Sequence, residues 1–272
     1  MKLRAAETSD VAYLQEVALD QATADLDISQ AEGLASQDLS RHPLVSAVVS
    51  EAVTYYDQAK AARRTFPSKQ SLDFVGSANK DFGADSAMFK FASSPLVLAP
   101  IVRYFDCFPY LTGFGVTLAR NQEFFRKSSQ RFHFDPEDRS QIKLFVYLTD
   151  VDAASGPFMA APAHKCAHLF ENPDFVLDRL DDDVVEDGAL REFHGPAGTV
   201  IFCDTCQCLH AGARPGDRER LMLSVEYNLP THLGASLFPK DSEPSRSRTQ
   251  AIRPETPDDY VKALLNIGDG SP

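Results

Sequence analysis

The sequence contains no tryptophan, four methionines and only five cysteines among its 272 residues. It has no apolar run of the ~18 residues that a membrane-spanning helix needs, and its first residues lack the apolar core of a signal peptide. An odd number of cysteines without an export signal predicts free thiols, not a disulfide framework. These absences lead us to expect a cytoplasmic protein with no membrane partner.

Basic residues are also scarce, since 27 lysines and arginines stand against 39 aspartates and glutamates. The resulting net charge of −12 repels phosphate backbones, so we do not expect nucleic acid as a partner. The hydrophobic fraction of 43% and the charged fraction of 24% are those of an ordinary globular protein. The length is sufficient for one substantial core, and we expect a single domain over 1–272.

The first part of the chain, residues 1–108, has the pattern of a helical layer. Ser9, Pro43 and the pair Ser94-Pro95 are typical helix starts, and apolar residues follow each of them at helical spacing. We interpret these apolar stripes as core residues and not as cofactor contacts.

The second part, residues 109–230, changes to short β-branched or aromatic runs bounded by Gly, Pro and Asp. These runs cover 113–119, 141–148, 199–202 and 220–228, a pattern typical of a sandwich or jelly roll. The acidic segment 172–187 predicts a short inserted helix. For 231–272 we expect a C-terminal loop, exposed at 240–257, and a short helix.

The residues with most chemical meaning are His133, Asp135 and His210. Residues at i and i+2 of an extended segment point to the same side, so His133 and Asp135 can reach one ion. Two histidines and one carboxylate with open positions opposite them are the ligands of non-haem Fe(II) oxygenases. Arg220 opens the last β run, where a guanidinium can grip a carboxylate with two hydrogen bonds.

In this order of motifs the chain resembles the phytanoyl-CoA dioxygenase family of Fe(II)- and 2-oxoglutarate-dependent oxygenases. The resemblance covers roughly residues 110 to 230. It departs from the family at Ala163, where a small polar residue is usual, and in the cysteines before His210. The segments that carry it are 129–135 (SQRFHFD), 142–151 with Gly156-Pro157, 162–165 (PAHK), 198–204 with His210-Ala-Gly212, and Arg220.

The resemblance implies a double-stranded β-helix core and three cofactors or cosubstrates, namely Fe(II), 2-oxoglutarate and O2. It implies that His133, Asp135 and His210 bind the metal and are the catalytic centre. Arg220, helped by Lys143, would bind the distal carboxylate of 2-oxoglutarate, and Gln130 would bind substrate or cosubstrate. The expected reaction hydroxylates, desaturates or cyclises a small organic substrate while 2-oxoglutarate is decarboxylated to succinate. Because Asp135 fills the position that halogenating relatives leave empty, halogenation is not expected.

Other interpretations of the same residues remain open. One is a cupin-like metal dioxygenase that needs no 2-oxo acid, and another is a catalytically silent β-barrel that binds a ligand. A structural zinc site would combine His210 with the thiolates of Cys203, Cys206 and Cys208, although the spacing lacks the paired Cys-x-x-Cys pattern. We favour small packing thiols for these cysteines, and a rim or structural role, not metal ligation, for His164.

Overall fold

A computed structural model describes residues 26–62, 65–69, 72–75, 85–106, 109–119, 130–135, 139–171, 180, 188–212 and 217–229. The helix expected after Ser9 and the C-terminal loop and helix lie outside these residues. The short helix expected within 172–187 also lies outside them, apart from Leu180.

The described residues form four α-helices and ten strands. The helices are α1 (Pro43–Ala61), α2 (Ala87–Ala92), α3 (Pro95–Phe105) and α4 (Ala163–Glu171). The strands are β1 (Leu34–Asp38), β2 (Thr65–Lys69), β3 (Leu72–Val75), β4 (Tyr110–Ala119), β5 (Gln141–Tyr147), β6 (Phe158–Ala160), β7 (Arg191–Phe193), β8 (Thr199–Asp204), β9 (His210–Ala211) and β10 (Arg220–Asn228).

The helix starts predicted at Pro43 and at Ser94-Pro95 are confirmed. Pro43 occupies the first turn of α1, and the preceding His42 caps the helix by accepting a hydrogen bond from the backbone N–H of Leu44. Both helices bury an apolar face. These buried residues are Val45, Val48, Ala52, Tyr55, Tyr56 and Ala59 in α1, and Leu96, Val97, Leu98, Ala99, Pro100, Ile101, Val102 and Tyr104 in α3.

The strands form two antiparallel sheets. The larger sheet has the order β1-β8-β5-β10-β4-β3-β2, and the smaller sheet has the order β7-β6-β9. All four predicted β runs are strands, and the run at 220–228 coincides with β10. The prediction of a helical layer over 1–108 was incomplete, because β1, β2 and β3 fall within it and pair with the core strands. Their sequences, LASQD, TFPSK and LDFV, are interrupted by polar or charged residues or by proline, so they lack the β-branched or aromatic runs by which the other strands were recognised.

The central strands separate two apolar layers, because successive side chains of a strand point to opposite faces. On β5, Ile142, Leu144 and Val146 pack in the same cluster as the buried faces of α1, α2 and α3. The alternate residues Phe145 and Tyr147 pack instead with Phe158 and Phe193 of the smaller sheet. Odd-numbered residues of β5 and even-numbered residues of β10 therefore point into the space between the two sheets.

No helix among the described residues is long and apolar enough to cross a membrane.

Gly198 precedes β8 and gives a test of this packing. Its φ is +96°, and a Cβ there would lie 2.6 Å from Cα of Ser40. We expect Gly198→Ala to lower the free energy of unfolding by about 3 kcal/mol or more, since an overpacking cost of 1–3 kcal/mol adds to backbone strain. Gly188, at φ +78° with nothing within 4 Å, is the control, and Gly188→Ala should cost only about 1–2 kcal/mol. Urea unfolding measures both; equal losses would contradict the described contact with Ser40.

Candidate functional site

Backbone pairing brings the two predicted histidine ligands together. His133 and His210 form an isolated antiparallel bridge, in which each backbone N–H donates to the other residue's carbonyl at 3.0 Å. On its other side, β9 pairs with β6 through Ala160 and His210. The short segment that carries His133 is therefore added to the smaller sheet as a neighbour of β9, and the two imidazole centroids lie 4.3 Å apart.

Both imidazoles are held by backbone carbonyls. Nδ1 of His133 lies 2.9 Å from the carbonyl oxygen of Arg131, and Nδ1 of His210 lies 3.0 Å from that of Cys208. A carbonyl only accepts hydrogen bonds, so each Nδ1 must carry the proton and each Nε2 keeps its lone pair. Fixing the tautomer through the remote ring nitrogen is how proteins orient metal-binding histidines.

Asp135 completes the cluster. Its backbone N–H donates to the carbonyl of Thr205 at 2.8 Å, which fixes the residue beside the turn that precedes β9. Its Oδ1 lies 3.8 Å from Nε2 of His133, and its Oδ2 lies 3.7 Å from Nε2 of His210. All three ligand atoms lie within 4.8 Å of one another, and no other cluster of three such residues occurs in the described part of the chain. This spacing suits one ion with ligands at about 2 Å.

Lys143 extends from β5 to the same carboxylate. Its Nζ lies 2.6 Å from Oδ2 of Asp135 and 3.7 Å from Oε1 of Glu226. Burial by itself raises the pKa of Asp135, but the Lys143 ammonium and, when they are protonated, the two imidazoles outweigh it, so the pKa falls well below its usual range. Asp135 is therefore ionised and ready to bind a cation. The predicted contact of Lys143 with the cosubstrate stays a prediction.

Arg220 is a charged residue that is almost completely buried, with 1% of its surface exposed. Its guanidinium donates to the carbonyls of Gly156, at 2.6 Å, and of Gly212. Its Nε is buried without a hydrogen-bond partner, and no described carboxylate lies within ion-pair distance of the guanidinium. Burial lowers the pKa of Arg220, and the ring of Tyr147 lies beneath the group, 5.9 Å from Cζ. A buried cation that lacks a carboxylate is costly unless an anion joins it.

The remaining residues considered in the sequence analysis differ in how far they are buried. Gln130 is fully buried three residues before His133, and its role in binding stays a prediction. Arg218 is exposed and pairs with Asp152, so of the two neighbouring arginines only Arg220 points inward. His164 is exposed on α4 and contacts the carbonyl of Ala31, which agrees with the structural role expected for it.

The four described cysteines are free and buried. Residues 205–208 form a turn, so Cys206, Cys208 and His210 do not follow one extended face, and they form no metal-binding cluster with Cys203. Cys208 instead approaches the carbonyl of Glu32 at 3.4 Å. Burial, together with the Cys208 thiol, raises the pKa of Cys203 well above its usual value. The packing interpretation therefore fits, and the zinc interpretation does not.

A functional residue that the sequence interpretation missed is Asp204, at the end of β8. One carboxylate oxygen accepts from the backbone N–H groups of Gln141, Cys206 and Gln207 at 3.1–3.2 Å. The other oxygen accepts from the hydroxyls of Tyr104, at 2.9 Å, and of Ser140. Asp204 thereby holds the turn whose Thr205 carbonyl receives Asp135. An aspartate after an apolar strand is common at turns, so the sequence carries no signal for this role.

Chains of known structure share the fold. The epimerase SnoN, crystallised with Fe3+, alpha ketoglutarate and nogalamycin RO, is 19% identical over 86% of this chain and 93% of its own, with a TM-score of 0.55. The alpha ketoglutarate dependent carbocyclase SnoK from nogalamycin biosynthesis is 15% identical over 73% and 80%, with a TM-score of 0.53. EctD from S. alaskensis, crystallised with 2-oxoglutarate and 5-hydroxyectoine, is 14% identical over 79% and 77%, with a TM-score of 0.51.

Identities of this size show a shared fold. They confirm the predicted double-stranded β-helix, or jelly-roll, core with helices before it. No protein-family model matches the chain, and no curated protein matches it in sequence.

The metal-binding prediction is tested by removing one ligand. We expect Asp135→Ala to abolish stoichiometric binding of Mn(II), Co(II) or Ni(II), because these ions occupy the same ligand sets as Fe(II). Cys206→Ser and Cys208→Ser are the controls and should keep one ion per chain, while lowering stability by about 1 kcal/mol. Metal content after dialysis measures this. One zinc per chain that is lost in a cysteine variant would overturn the assignment.

The role of Asp204 is tested by Asp204→Asn. The amide has one accepting oxygen for five donors, so we expect the free energy of unfolding to fall by about 1–3 kcal/mol. Because the turn positions Asp135, the dissociation constant of Mn(II) should rise about 10-fold, as for other groups that orient ligands. Tyr104→Phe removes one donor only and is the control. Loss of stability with unchanged Mn(II) affinity would show that Asp204 does not position the site.

Proposed function

We propose that this protein is a non-haem Fe(II)- and 2-oxoglutarate-dependent dioxygenase that hydroxylates, desaturates or cyclises a small organic substrate, producing succinate from 2-oxoglutarate. The observation that carries the proposal is the joint presence of the His133/Asp135/His210 cluster and the buried guanidinium of Arg220, which has no carboxylate partner among the described residues. The shared fold with SnoN, SnoK and EctD supports it, since SnoN was crystallised with alpha ketoglutarate and EctD with 2-oxoglutarate.

The side chains present fit a divalent metal. Two neutral imidazoles with Nε2 lone pairs and one ionised carboxylate supply three ligands of the kind that Fe(II) takes. His133, Asp135 and His210 would hold the ion on one side and leave the remaining positions for other ligands. The two backbone carbonyls that orient the imidazoles support these ligands.

The surroundings of Arg220 fit the distal carboxylate of 2-oxoglutarate. Arg220 is the first of the β10 residues that point into the space between the two sheets. Its guanidinium donates to the carbonyl of Gly212, two residues after His210, and its Nε has no hydrogen-bond partner. A carboxylate placed there would satisfy the orphaned N–H and the buried charge together. Tyr147, whose hydroxyl donates to the carbonyl of Phe193 at 2.7 Å, would form one wall of this pocket.

When bound, the iron and its 2-oxo acid would supply the oxidising chemistry, and the protein would supply orientation and exclusion of water. Phe145 and Phe158, whose rings lie 4.7 Å apart, fill the space between the sheets. Phe158 also lies 5.9 Å from the His210 ring. An apolar wall beside the ligands keeps bulk water from this side of the centre and strengthens the charge interactions inside it.

We further propose that the chain falls within the phytanoyl-CoA dioxygenase-like group. Its order of motifs from residue 129 to Arg220 supports this. We also propose that Asp135 directs the reaction away from halogenation, because its carboxylate occupies the position that a halide would need.

The role of Arg220 is tested by the affinity for 2-oxoglutarate. Loss of a bidentate charged contact costs about 2–5 kcal/mol, so Arg220→Ala should weaken binding roughly 30- to several-thousand-fold. Arg220→Lys keeps the charge but not the planar fork, so it should lose less affinity than Arg220→Ala. It serves as the test variant if Arg220→Ala does not fold. Arg218→Ala, on the exposed side, is the matched control and should bind normally. Calorimetric titration of the metal-loaded protein measures each variant; unchanged binding in both Arg220 variants would remove the cosubstrate assignment.

The overall proposal is tested by incubating the protein with Fe(II), 2-oxoglutarate and panels of metabolites and measuring succinate. We expect succinate to form with wild-type protein and not with Asp135→Ala. Oxidation of a substrate without consumption of 2-oxoglutarate would favour a cupin-like dioxygenase instead.

A further inference from the structure

Lys143 lies between two carboxylates that belong to different parts of the site. Its Nζ is 2.6 Å from Oδ2 of Asp135 and 3.7 Å from Oε1 of Glu226. Lys143 and Glu226 are direct cross-strand partners of β5 and β10, so their side chains leave the sheet side by side. Asp135 is fixed separately, by its backbone hydrogen bond to Thr205.

Glu226 is placed so that it can receive the ammonium group. On the far side of β10 its register partner is Gly113, and a Cβ at Gly113 would meet Oε2 of Glu226 at 3.1 Å. The missing side chain of Gly113 therefore leaves room for the carboxylate to lie over β4. Glu226 and Lys143 keep 30% and 17% of their side-chain surface exposed, so both have space in which to move.

The Asp135 carboxylate would have to serve two cations. Oδ2 receives the Lys143 ammonium and also lies 3.7 Å from Nε2 of His210, across the place where an ion would be bound. An ammonium on this oxygen and a dication within coordination distance of the carboxylate repel each other. Movement of Nζ from Asp135 to the neighbouring Glu226 removes this conflict and leaves the ammonium paired.

We propose that Lys143 is a positioning residue that occupies the Asp135 carboxylate in the metal-free protein and transfers to Glu226 when the metal binds. The inference rests on the proposed metal site. Glu226 is thus the second acceptor of the ammonium group. Together, Lys143 and Glu226 set the affinity of the centre for its metal ion. Lys143 holds the carboxylate in place before loading, at the cost of competing with the metal.

A double-variant cycle on Mn(II) binding to the full-length protein tests this transfer. Lys143→Met removes the competitor and should tighten Mn(II) binding up to about 5-fold, because the ammonium no longer competes with the metal for the carboxylate. Glu226→Gln removes the negative charge of the second acceptor and should weaken Mn(II) binding several-fold. In the double variant the effect of Glu226→Gln should disappear, because there is no ammonium left to receive. Lys90→Met on the exposed face of α2 is the control for net charge and should change nothing.

Weaker Mn(II) binding in Lys143→Met would overturn the proposal, because Lys143 would then be a partner that only orients Asp135. Additive effects in the double variant would overturn it as well. A crystal structure with Mn(II) should place Nζ at about 3 Å from the Glu226 carboxylate, within hydrogen-bond distance. Failure of the metal site itself is distinguished by Asp135→Ala and His210→Ala, which must abolish Mn(II) binding whatever Lys143 does.

Discussion

The paired backbone hydrogen bonds between His133 and His210 are the constraint on which the site depends. They attach a short segment to β9 and so bring together ligands that are far apart in the chain. Since the carbonyls of Arg131 and Cys208 then fix the two imidazoles, the backbone alone determines where both Nε2 atoms point. Asp135 follows two residues later and is held by Thr205, in a turn that the buried carboxylate of Asp204 organises.

The alternation of β5 and β10 supplies the charged groups of the interior. Their outward residues pack on the helices, and their inward residues include Lys143, Glu226 and Arg220. A guanidinium buried as deeply as that of Arg220 lowers the stability of a protein unless carbonyls and an anion compensate for it. Its two hydrogen bonds to backbone carbonyls compensate in part for the cost of burying the charge. A bound dicarboxylate would supply the missing negative charge and an acceptor for the Nε–H group.

Much of the fold and the identity of the central residues could be predicted from the sequence. The proline-marked helices and the strand at 220–228 have strong local patterns. The i, i+2 spacing of His133 and Asp135 places their side chains on the same side of an extended segment. The strands β1, β2 and β3 could not be recognised, because polar residues or proline interrupt their sequences and their formation depends on pairing with partners that are distant in sequence, such as β8 and β4. Asp204 and the contact of Lys143 with Asp135 are also products of tertiary packing: nothing local distinguishes Asp204 from a turn aspartate, or Lys143 from a lysine at a strand end.

The most direct test of the central claim is anomalous X-ray diffraction from crystals grown with Mn(II) and 2-oxoglutarate. The account predicts one strong anomalous peak at about 2 Å from Nε2 of His133, Nε2 of His210 and a carboxylate oxygen of Asp135, the usual metal–ligand distance. It also predicts density for 2-oxoglutarate that joins this ion to the guanidinium of Arg220. A manganese peak at the cysteines, or a 2-oxoglutarate carboxylate bound away from Arg220, would contradict it.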